Sequence, residues 1–225
     1  MFHTIVFDIG GVLAFDVWEH MLLDDHHGIA HRWNLDTAEV FEFGRQLWEE
    51  FAYTSADENN SRESLEKDYW NRFIQRFDLS QSADAFIEMT DRFIRPVEGM
   101  TPLLEKLQHE GLNLVICSNN NEFWLKRQLE KLGLHRFFES SKVISSSRIG
   151  FPKISTNFEM FKSVMDVTNE SRSSYLFIDD RFENIQRAIE FGWTAILFPQ
   201  ESPEGAMYLE TLFEAMGILN GVRKS

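Results

Sequence analysis

The sequence predicts an α/β fold, in which a doubly wound, Rossmann-like parallel sheet is interrupted by an inserted helical domain. Five short apolar runs lack polar alternation, which is typical of parallel strands that helices cover on both faces. Helical patterns separate the later runs, as a doubly wound sheet requires. Residues 14–96 break this rhythm, because they are rich in Trp, Phe and charged residues and contain no convincing strand.

The elements of the sheet follow in order along the chain. The apolar runs that predict strands are TIVF, LNLVICS, KVIS, SYLFIDD and TAILF. One helical pattern begins at Thr101, a favoured N-cap residue followed by Pro102, and stops at Gly111. Two further patterns, NEFWLKRQLEKLG and ENIQRAIEFG, stop at Gly133 and Gly192. Strands and helices therefore alternate through the part of the chain that follows the insert.

The insert is predicted to be helical throughout. Its helical patterns are AEVFEFGRQLWEEFAY, SRESLEKDYWNRFIQRF and SADAFIEMTDRFI. Pro96 and Gly99 mark the return to the sheet. Four tryptophans are expected mainly in the core of the insert, with one or two of them shaping a substrate pocket: Trp18, Trp33, Trp48 and Trp70.

The composition limits the partners that the protein can have. The 225 residues carry a formal net charge of −14, with a pI of about 4.9, whereas nucleic acids and anionic membranes need a basic surface. A single cysteine, Cys117, excludes an internal disulfide and suits a reducing cytoplasm. No apolar run approaches the ~18 residues of a membrane helix. A soluble cytoplasmic protein without nucleic-acid or membrane partners is therefore expected.

Polar residues follow four of the five predicted strands, at the carboxyl ends where ligands of such folds collect. These strand ends carry, in chain order, Asp8, then Ser118 and Asn119, then the SRIGFPK segment with Lys153, and then Asp179 and Asp180, with Asn184 one helical turn on. Carboxylates, a hydroxyl group and a lysine are therefore expected around a single site at the carboxyl ends of the strands.

These residue types suit phosphoryl transfer. A carboxylate such as Asp8 attacks phosphorus when the negative charge of the phosphoryl group is neutralised. Mg²⁺ neutralises such charge and takes hard oxygen ligands, commonly one or two carboxylates and the substrate phosphate. A serine hydroxyl, backbone N–H groups and a lysine can hold the remaining phosphate oxygens.

Four motifs in this order resemble those of the haloacid dehalogenase (HAD) superfamily of hydrolases, most of which are phosphatases. VFDIGGVL resembles its first motif, VICSNN its second, IGFPK its lysine motif and FIDDRFEN its acidic fourth motif. The insert follows the first motif, where the family has its helical C1 cap. The resemblance implies a Rossmann-like core over residues 1–13 and 97–225 and a C1 cap over residues 14–96.

The resemblance also implies a role for each matched residue. Asp8 would be the nucleophile, with Ser118 and Lys153 as its catalytic partners. The implied ligands of Mg²⁺ are Asp8, the backbone carbonyl of Gly10, and Asp180. The residues implied to bind the phosphate are Ser118, Asn119 and Lys153, and those implied to lie beside the metal ligands are Asp179 and Asn184.

The sequence departs from the family pattern at two places. The lysine is usually followed by proline, whereas here Pro152 precedes it and Ile154 follows it. The residue two after the nucleophile is usually an aspartate that protonates the leaving group, and here it is Gly10. The expectation is that the proton donor is lost, and the alternatives are that Asp16 or Asp179 substitutes for it. Without a donor, the enzyme is expected to favour substrates whose leaving groups depart easily.

The expected function is that of a Mg²⁺-dependent phosphatase of a small phosphorylated metabolite, such as a sugar phosphate, acting through an aspartyl phosphate on Asp8. Some family members with a D-x-G-x-V first motif are regarded as sugar-phosphate phosphatases. Two alternatives remain open. One is a non-catalytic or weakly active protein that binds phosphate or a partner, because Gly10 replaces the acid. The other is a metal-independent haloacid dehalogenase.

Overall fold

Five parallel strands form the sheet of this computed structural model, which describes residues 1–56, 61–199 and 204–219. The strands are β1 (Thr4–Phe7), β2 (Asn113–Ser118), β3 (Val143–Ser145), β4 (Tyr175–Asp179) and β5 (Thr194–Leu197). Their spatial order is β3-β2-β1-β4-β5, so β1 is central. Thr4 pairs with Asn113 on one side and with Tyr175 on the other. The five predicted strands and the doubly wound α/β fold are confirmed.

Helices fill the insert and surround the sheet. The insert contains α1 (Val17–Leu23), α2 (Ile29–Arg32), α3 (Thr37–Phe51), α4 (Arg62–Phe77) and α5 (Ala83–Phe93). The helices around the sheet are α6 (Met100–His109), α7 (Glu122–Lys131), α8 (Ser146–Ile149), α9 (Glu159–Thr168), α10 (Phe182–Phe191) and α11 (Ala206–Ala215). Within the described ranges, no helix has both the length and the apolar character that crossing a membrane requires.

Glycines at helix ends explain some of these boundaries. α10 ends at Gly192, whose φ of +95° is a left-handed conformation that favours glycine. The predicted N-cap of α6 is wrong by two residues. Gly99 caps this helix, which begins at Met100, so Thr101 lies inside it. The helical patterns named from the sequence also omit α9, which crosses from β3 to β4.

The strands bury side chains on both faces of the sheet, as their unbroken apolar runs indicate. Ile5 and Phe7 of β1 belong to an apolar cluster that includes residues of α6 and α11. Val6 belongs to the cluster on the opposite face, with residues of α9 and α10. Cys117 lies in this second cluster and is fully buried, so it serves the packing of the core.

The insert has an apolar core that continues into the helices around the sheet. Trp70 is fully buried, and its ring stacks on that of Phe86 with centroids 5.1 Å apart. Phe123 and Trp124 of α7 belong to the same cluster, although they lie outside the insert. The insert is therefore packed against α7 through aromatic side chains.

Ion pairs also join the insert to the rest of the molecule. Glu122, at the start of α7, has a carboxylate that is only 3% exposed. Its Oε2 lies 3.0 Å from Arg62 Nη2 of the insert, and its Oε1 lies 2.9 Å from Arg148 Nε of α8. A buried carboxylate needs such partners, because burial without them is costly. The boundaries of the insert, at residues 14 and 96, stay a prediction.

Candidate active site

Three aspartates meet where β1 and β4 end. Asp8 follows β1 directly, and Asp179 and Asp180 stand at the end of the neighbouring strand, β4. One carboxylate oxygen from each residue lies within 4.8 Å of the other two. Neighbouring parallel strands end at the same edge of a sheet, which explains why residues so distant in sequence converge.

Lys153 reaches this group from the segment after β3. Its Nζ lies 2.7 Å from Asp8 Oδ2 and 2.5 Å from Asp179 Oδ2, and its side chain is fully buried. Burial alone would lower the pKa of Lys153, but the carboxylates of Asp179 and Asp8 outweigh that effect and raise it above its ordinary value. Lys153 is therefore a cation that holds both carboxylates in place.

Both carboxylate oxygens of Asp179 are engaged. Oδ2 accepts a hydrogen bond from Lys153, and Oδ1 accepts bonds from Asn184 Nδ2 at 2.9 Å and from the backbone N–H of Arg181 at 2.8 Å. Burial raises the pKa of Asp179 to about 6, although the charge of Lys153 opposes the shift. Asp179 and Asn184 therefore position the lysine and the start of α10.

Asp180 presents an oxygen that lacks a hydrogen bond. Its Oδ2 is buried and accepts none from the described residues, and Arg181 Nε lies 3.4 Å away as an ion-pair partner. Burial, followed by the charges of Asp8 and Asp179, raises the pKa of Asp180 to about 7. Gly11 has a φ of +73°, and a Cβ on it would lie 2.4 Å from Asp180 Oδ2. Asp180 therefore occupies space that only a glycine leaves free.

The donor set fits a hard divalent cation such as Mg²⁺, which prefers carboxylate and carbonyl oxygens. Asp8 and Asp180 offer carboxylates, and Gly10, whose carbonyl is the third implied ligand, borders the same cavity. The raised pKa of Asp180 reflects the cost of burying a negative charge beside others. A divalent cation at this position would offset that cost.

Of the three residues predicted to bind phosphate, Ser118 and Asn119 border the same space, whereas the fully buried Lys153 does not line it. Ser118 ends β2 and is buried, and Asn119 follows it. Asn119 Oδ1 accepts the backbone N–H of Lys153 at 2.9 Å, which ties the end of β2 to the lysine segment. Ser118 and Asn119 line the cavity that contains Asp8 and Asp180.

This cavity, of about 370 Å³, lies between the end of the sheet and the insert. The insert and α7 line it with Trp18, Glu19, Phe41, Arg45, Trp48, Glu49, Trp124 and Gln128. Of the four tryptophans named from the sequence, Trp18 and Trp48 line the cavity, whereas Trp33 and Trp70 do not. Sequence reasoning missed Trp124. The signal for it is its place in the first turn of α7, directly after the second motif.

Gly10 and Asp16 are neighbours at the edge of the cavity. A Cβ on Gly10 would have Asp16 Oδ2 as a near neighbour, at 3.7 Å. Asp16 Oδ1 accepts the backbone N–H of Glu19 at 3.0 Å and so caps α1, and Oδ2 lies 3.5 Å from Arg181 Nη2. Burial raises the pKa of Asp16 above its ordinary value, against the effects of that hydrogen bond and of Arg181. Of the two alternative donors named from the sequence, Asp16 lines the cavity and Asp179 does not.

Solved structures share this architecture. A HAD family enzyme of Bacteroides thetaiotaomicron in complex with magnesium and inorganic phosphate is 16% identical, and the match covers 92% of this chain and 100% of that chain at a TM-score of 0.63. The L-2-haloacid dehalogenase of Xanthobacter autotrophicus is 20% identical, with 96% of this chain and 88% of that chain covered at a TM-score of 0.60. At such identities the likeness establishes a common fold.

A curated relative and a family model extend the comparison to the sequence. The glyceraldehyde 3-phosphate phosphatase of Methanothermobacter thermautotrophicus is 29% identical over 112 residues, which are 49% of this chain and 48% of that protein. The chain therefore matches about half the length of this relative. The model of the haloacid dehalogenase-like hydrolases matches residues 2–192. Because that match takes in the insert and every residue that converges at the strand ends, the chain belongs to the haloacid dehalogenase-like hydrolase family.

Proposed function

We propose that the protein is a Mg²⁺-dependent phosphatase of a small phosphorylated metabolite, a sugar phosphate or a similar compound. The observation that carries this proposal is the position of Asp8 in the cavity, between the buried cation of Lys153 and the carboxylate of Asp180 that lacks a hydrogen bond. A nucleophile and a candidate metal ligand would thereby face one phosphate group, with a fixed positive charge in contact with the nucleophile. The phosphatase among the relatives supports the same activity.

The side chains would act in two steps. In the first, an oxygen of Asp8 attacks phosphorus while Ser118 and Asn119 hold phosphate oxygens and Lys153 holds Asp8 in place. The ester oxygen leaves, and an aspartyl phosphate forms on Asp8. In the second step, water attacks phosphorus, inorganic phosphate leaves, and Asp8 returns to its carboxylate form.

Asp8, Asp180 and the backbone carbonyl of Gly10 would hold the metal ion. When bound, Mg²⁺ would supply positive charge that offsets the negative charge of the phosphoryl group. Asp179 and Asn184 would not bind the metal ion themselves, because the oxygens of Asp179 already accept hydrogen bonds from protein donors. They hold Lys153 and the start of α10 beside the ligands.

The helical insert, residues 14–96, would act as a C1 cap and select the substrate. It supplies an aromatic wall of Trp18, Phe41 and Trp48, next to Arg45. A cavity of about 370 Å³ suits a small molecule and not a polymer. We expect the protein to work in the cytoplasm and, given its net charge of −14, without nucleic acid.

Two other functions would use parts of the same site. A haloacid dehalogenase would direct Asp8 at carbon and needs no metal, which would leave Asp180 Oδ2 buried without a hydrogen bond from the described residues. A non-catalytic protein that binds phosphate is favoured by Gly10, because the usual acid is absent there. Halide release in the presence of EDTA would identify the first. Binding of inorganic phosphate without turnover of any ester would identify the second.

A screen of phosphorylated metabolites with Mg²⁺ and with EDTA tests the proposal. We expect phosphate release from at least one small ester with Mg²⁺ and none with EDTA. In Asp8→Asn an amide of nearly the same shape replaces the nucleophile, so kcat should fall by about 10³-fold or more. Asp25→Asn, at an exposed position outside the cavity, is the matched control and should leave kcat unchanged. An Asp8→Asn variant that keeps more than a few per cent of the wild-type rate would exclude Asp8 as the nucleophile.

A further inference from the structure

The wall of the cavity beside Gly10 already contains a carboxylate. The backbone at Gly10 does not have a positive φ, so its conformation is open to residues with side chains. A side chain there would start 3.7 Å from Asp16 Oδ2. An aspartate at position 10 and the carboxylate of Asp16 would therefore occupy neighbouring space in the same cavity.

The two oxygens of Asp16 have different surroundings. Oδ1 is fixed by the backbone N–H of Glu19 at 3.0 Å, as the cap of α1. Oδ2 accepts a hydrogen bond from Arg181 Nη2 at 3.5 Å, the upper limit for such a bond, and the Asp16 side chain is 20% exposed. One oxygen therefore orients the carboxyl group, the other makes only this long contact with a half-exposed arginine, and Asp16 lines the cavity that holds Asp8.

Other carboxyl groups near Asp8 are less suited to exchange a proton with a substrate. Both oxygens of Asp179 accept short hydrogen bonds, at 2.5 Å from Lys153, 2.9 Å from Asn184 and 2.8 Å from the backbone of Arg181, and Asp179 does not line the cavity. Asp180 is the candidate metal ligand. This elimination leaves Asp16 beside the position where the family pattern has its acid.

We propose that Asp16 is the catalytic acid and base of this enzyme, an inference that rests on the proposed phosphatase function. As Asp8 forms its bond to phosphorus, the bond from phosphorus to the ester oxygen breaks and its electron pair goes to that oxygen. The carboxylic acid of Asp16 gives its proton to the same oxygen, so a neutral alcohol leaves and Asp16 becomes a carboxylate.

The second step reverses the proton transfer. The carboxylate of Asp16 takes a proton from water as the water oxygen bonds to phosphorus. The bond from phosphorus to Asp8 breaks, its electron pair returns to the Asp8 carboxylate, and inorganic phosphate leaves. Asp16 is then protonated again for the next substrate. With this donor in place, the preference for easily departing groups that Gly10 alone predicts should not arise.

Asp16→Asn separates this role from capping, because asparagine caps helices as well as aspartate but has no acidic proton. The test compares phenyl phosphate with 4-nitrophenyl phosphate, which have similar shapes but leaving groups that need protonation to different degrees. We expect kcat/KM for phenyl phosphate to fall by about 10²-fold or more, and that for 4-nitrophenyl phosphate to fall about tenfold less. Slow hydrolysis of the aspartyl phosphate should also give a burst of 4-nitrophenolate equal to the enzyme concentration.

Two further variants complete the test. Asp16→Ser keeps a capping side chain and should repeat the unequal loss, and adding Gly10→Asp to it should restore part of the phenyl phosphate activity. Glu19→Gln is the matched control, since Glu19 also lines the cavity and contacts Arg181 at 3.4 Å. It should change both substrates by the same factor.

Equal losses on the two substrates in Asp16→Asn and Asp16→Ser would overturn the role of Asp16 and leave the phosphatase proposal standing. A wild-type protein that releases phosphate from neither these esters nor any metabolite with Mg²⁺ would overturn the proposed function and this inference with it.

Discussion

Charged side chains behave differently at the end of the sheet and on the helical insert. At the sheet end, Lys153 Nζ and Asp8 Oδ2 lie 2.7 Å apart, and the side chain of Lys153 is fully buried. On the insert, Arg72 Nη1 and Glu50 Oε1 lie 2.6 Å apart, but the two side chains are 39% and 55% exposed. The two ion pairs therefore have nearly equal separations but differ in their exposure to water. Water screens the second pair, whereas the first is removed from water and coupled strongly to its neighbours.

The difference shows that stability and chemistry have separate origins in this molecule. The insert is held by aromatic packing, as in the stacked rings of Trp70 and Phe86. The sheet end concentrates negative charge that burial makes costly, as the raised pKa of Asp180 shows. Substitutions in the two regions should therefore affect different measurements.

Truncation at the centre of the insert should have the largest effect on stability. Trp70→Ala should lower the free energy of unfolding by about 3–5 kcal/mol, because it leaves a cavity among packed aromatic rings. Trp70→Phe keeps a ring against Phe86 and removes an N–H group that has no hydrogen bond among the described residues, so its loss should be smaller. Urea denaturation measures both. A loss below about 1 kcal/mol in Trp70→Ala would contradict the packing origin of the insert's stability.

Gly11→Ala should damage the proposed metal site at the sheet end. Its left-handed φ costs an alanine about 1–2 kcal/mol, and the new Cβ would displace the carboxylate of Asp180. We expect the affinity for Mg²⁺, measured by calorimetry, to fall by at least about tenfold. Gly10→Ala is the control, because its Cβ meets Asp16 Oδ2 only at 3.7 Å and its φ is not left-handed. Equal affinities in the two variants would contradict the role of Gly11.

Stabilisation by Mg²⁺ should depend on pH. The pKa of Asp180 rises from its ordinary 3.8 to about 7 on folding, so the folded metal-free protein binds more protons and loses stability as pH rises through this range. At pH values above this pKa, Mg²⁺ would offset the negative charge of Asp180. Saturating Mg²⁺ should therefore raise Tm more at pH 8 than at pH 5, by about 2 °C or more, which is roughly 1 kcal/mol for a chain of this size.

Asp180→Asn supplies the control for the pH experiment, because an amide neither titrates nor repels the neighbouring carboxylates. This variant should be more stable than the wild type at pH 8 without metal, and Mg²⁺ should change its Tm little at either pH. A wild-type Tm shift that is equal at pH 5 and pH 8 would show that the charge of Asp180 is not what the ion offsets.

The smallest effect is expected from the exposed ion pair of the insert. Arg72→Gln removes the charge opposite Glu50, and exposed pairs contribute about 0.2–1 kcal/mol. Raising the salt concentration should reduce the difference between variant and wild type further. A loss as large as that of Trp70→Ala would mean that the comparison between the two regions is wrong.

The strands of the sheet and the residues at their ends could be predicted because short stretches of sequence identify them. An apolar run such as TIVF marks a buried strand wherever it pairs, and a polar residue directly after it, here Asp8, must lie at the strand's carboxyl end. Residues that follow parallel strands share one edge of the sheet, so the meeting of Asp8, Lys153 and Asp179 was expected before the order of the strands was known.

Other features depend on contacts between distant segments and have no local signal. The nearness of Asp16 to Gly10 is set by the path of the chain into α1, and the patterns of the insert do not specify that path. The packing of the insert against Phe123 and Trp124 was likewise not predictable from the sequence. Both residues fit the pattern of an ordinary amphipathic helix, which does not indicate what the helix packs against. Deleting the insert would therefore expose two large aromatic rings of α7.

The central position of β1 has a consequence for synthesis on the ribosome. Its neighbours in the sheet, β2 and β4, begin at Asn113 and Tyr175, so β1 emerges long before either partner exists. The helices of the insert make mostly local contacts and can fold during this interval, while β1 exposes apolar side chains and unpaired backbone groups that favour aggregation. Asp8 is thus synthesised before the insert but reaches its final position only after the insert has been made. The yield of active protein should therefore respond to translation rate and to chaperones that shield an unpaired strand.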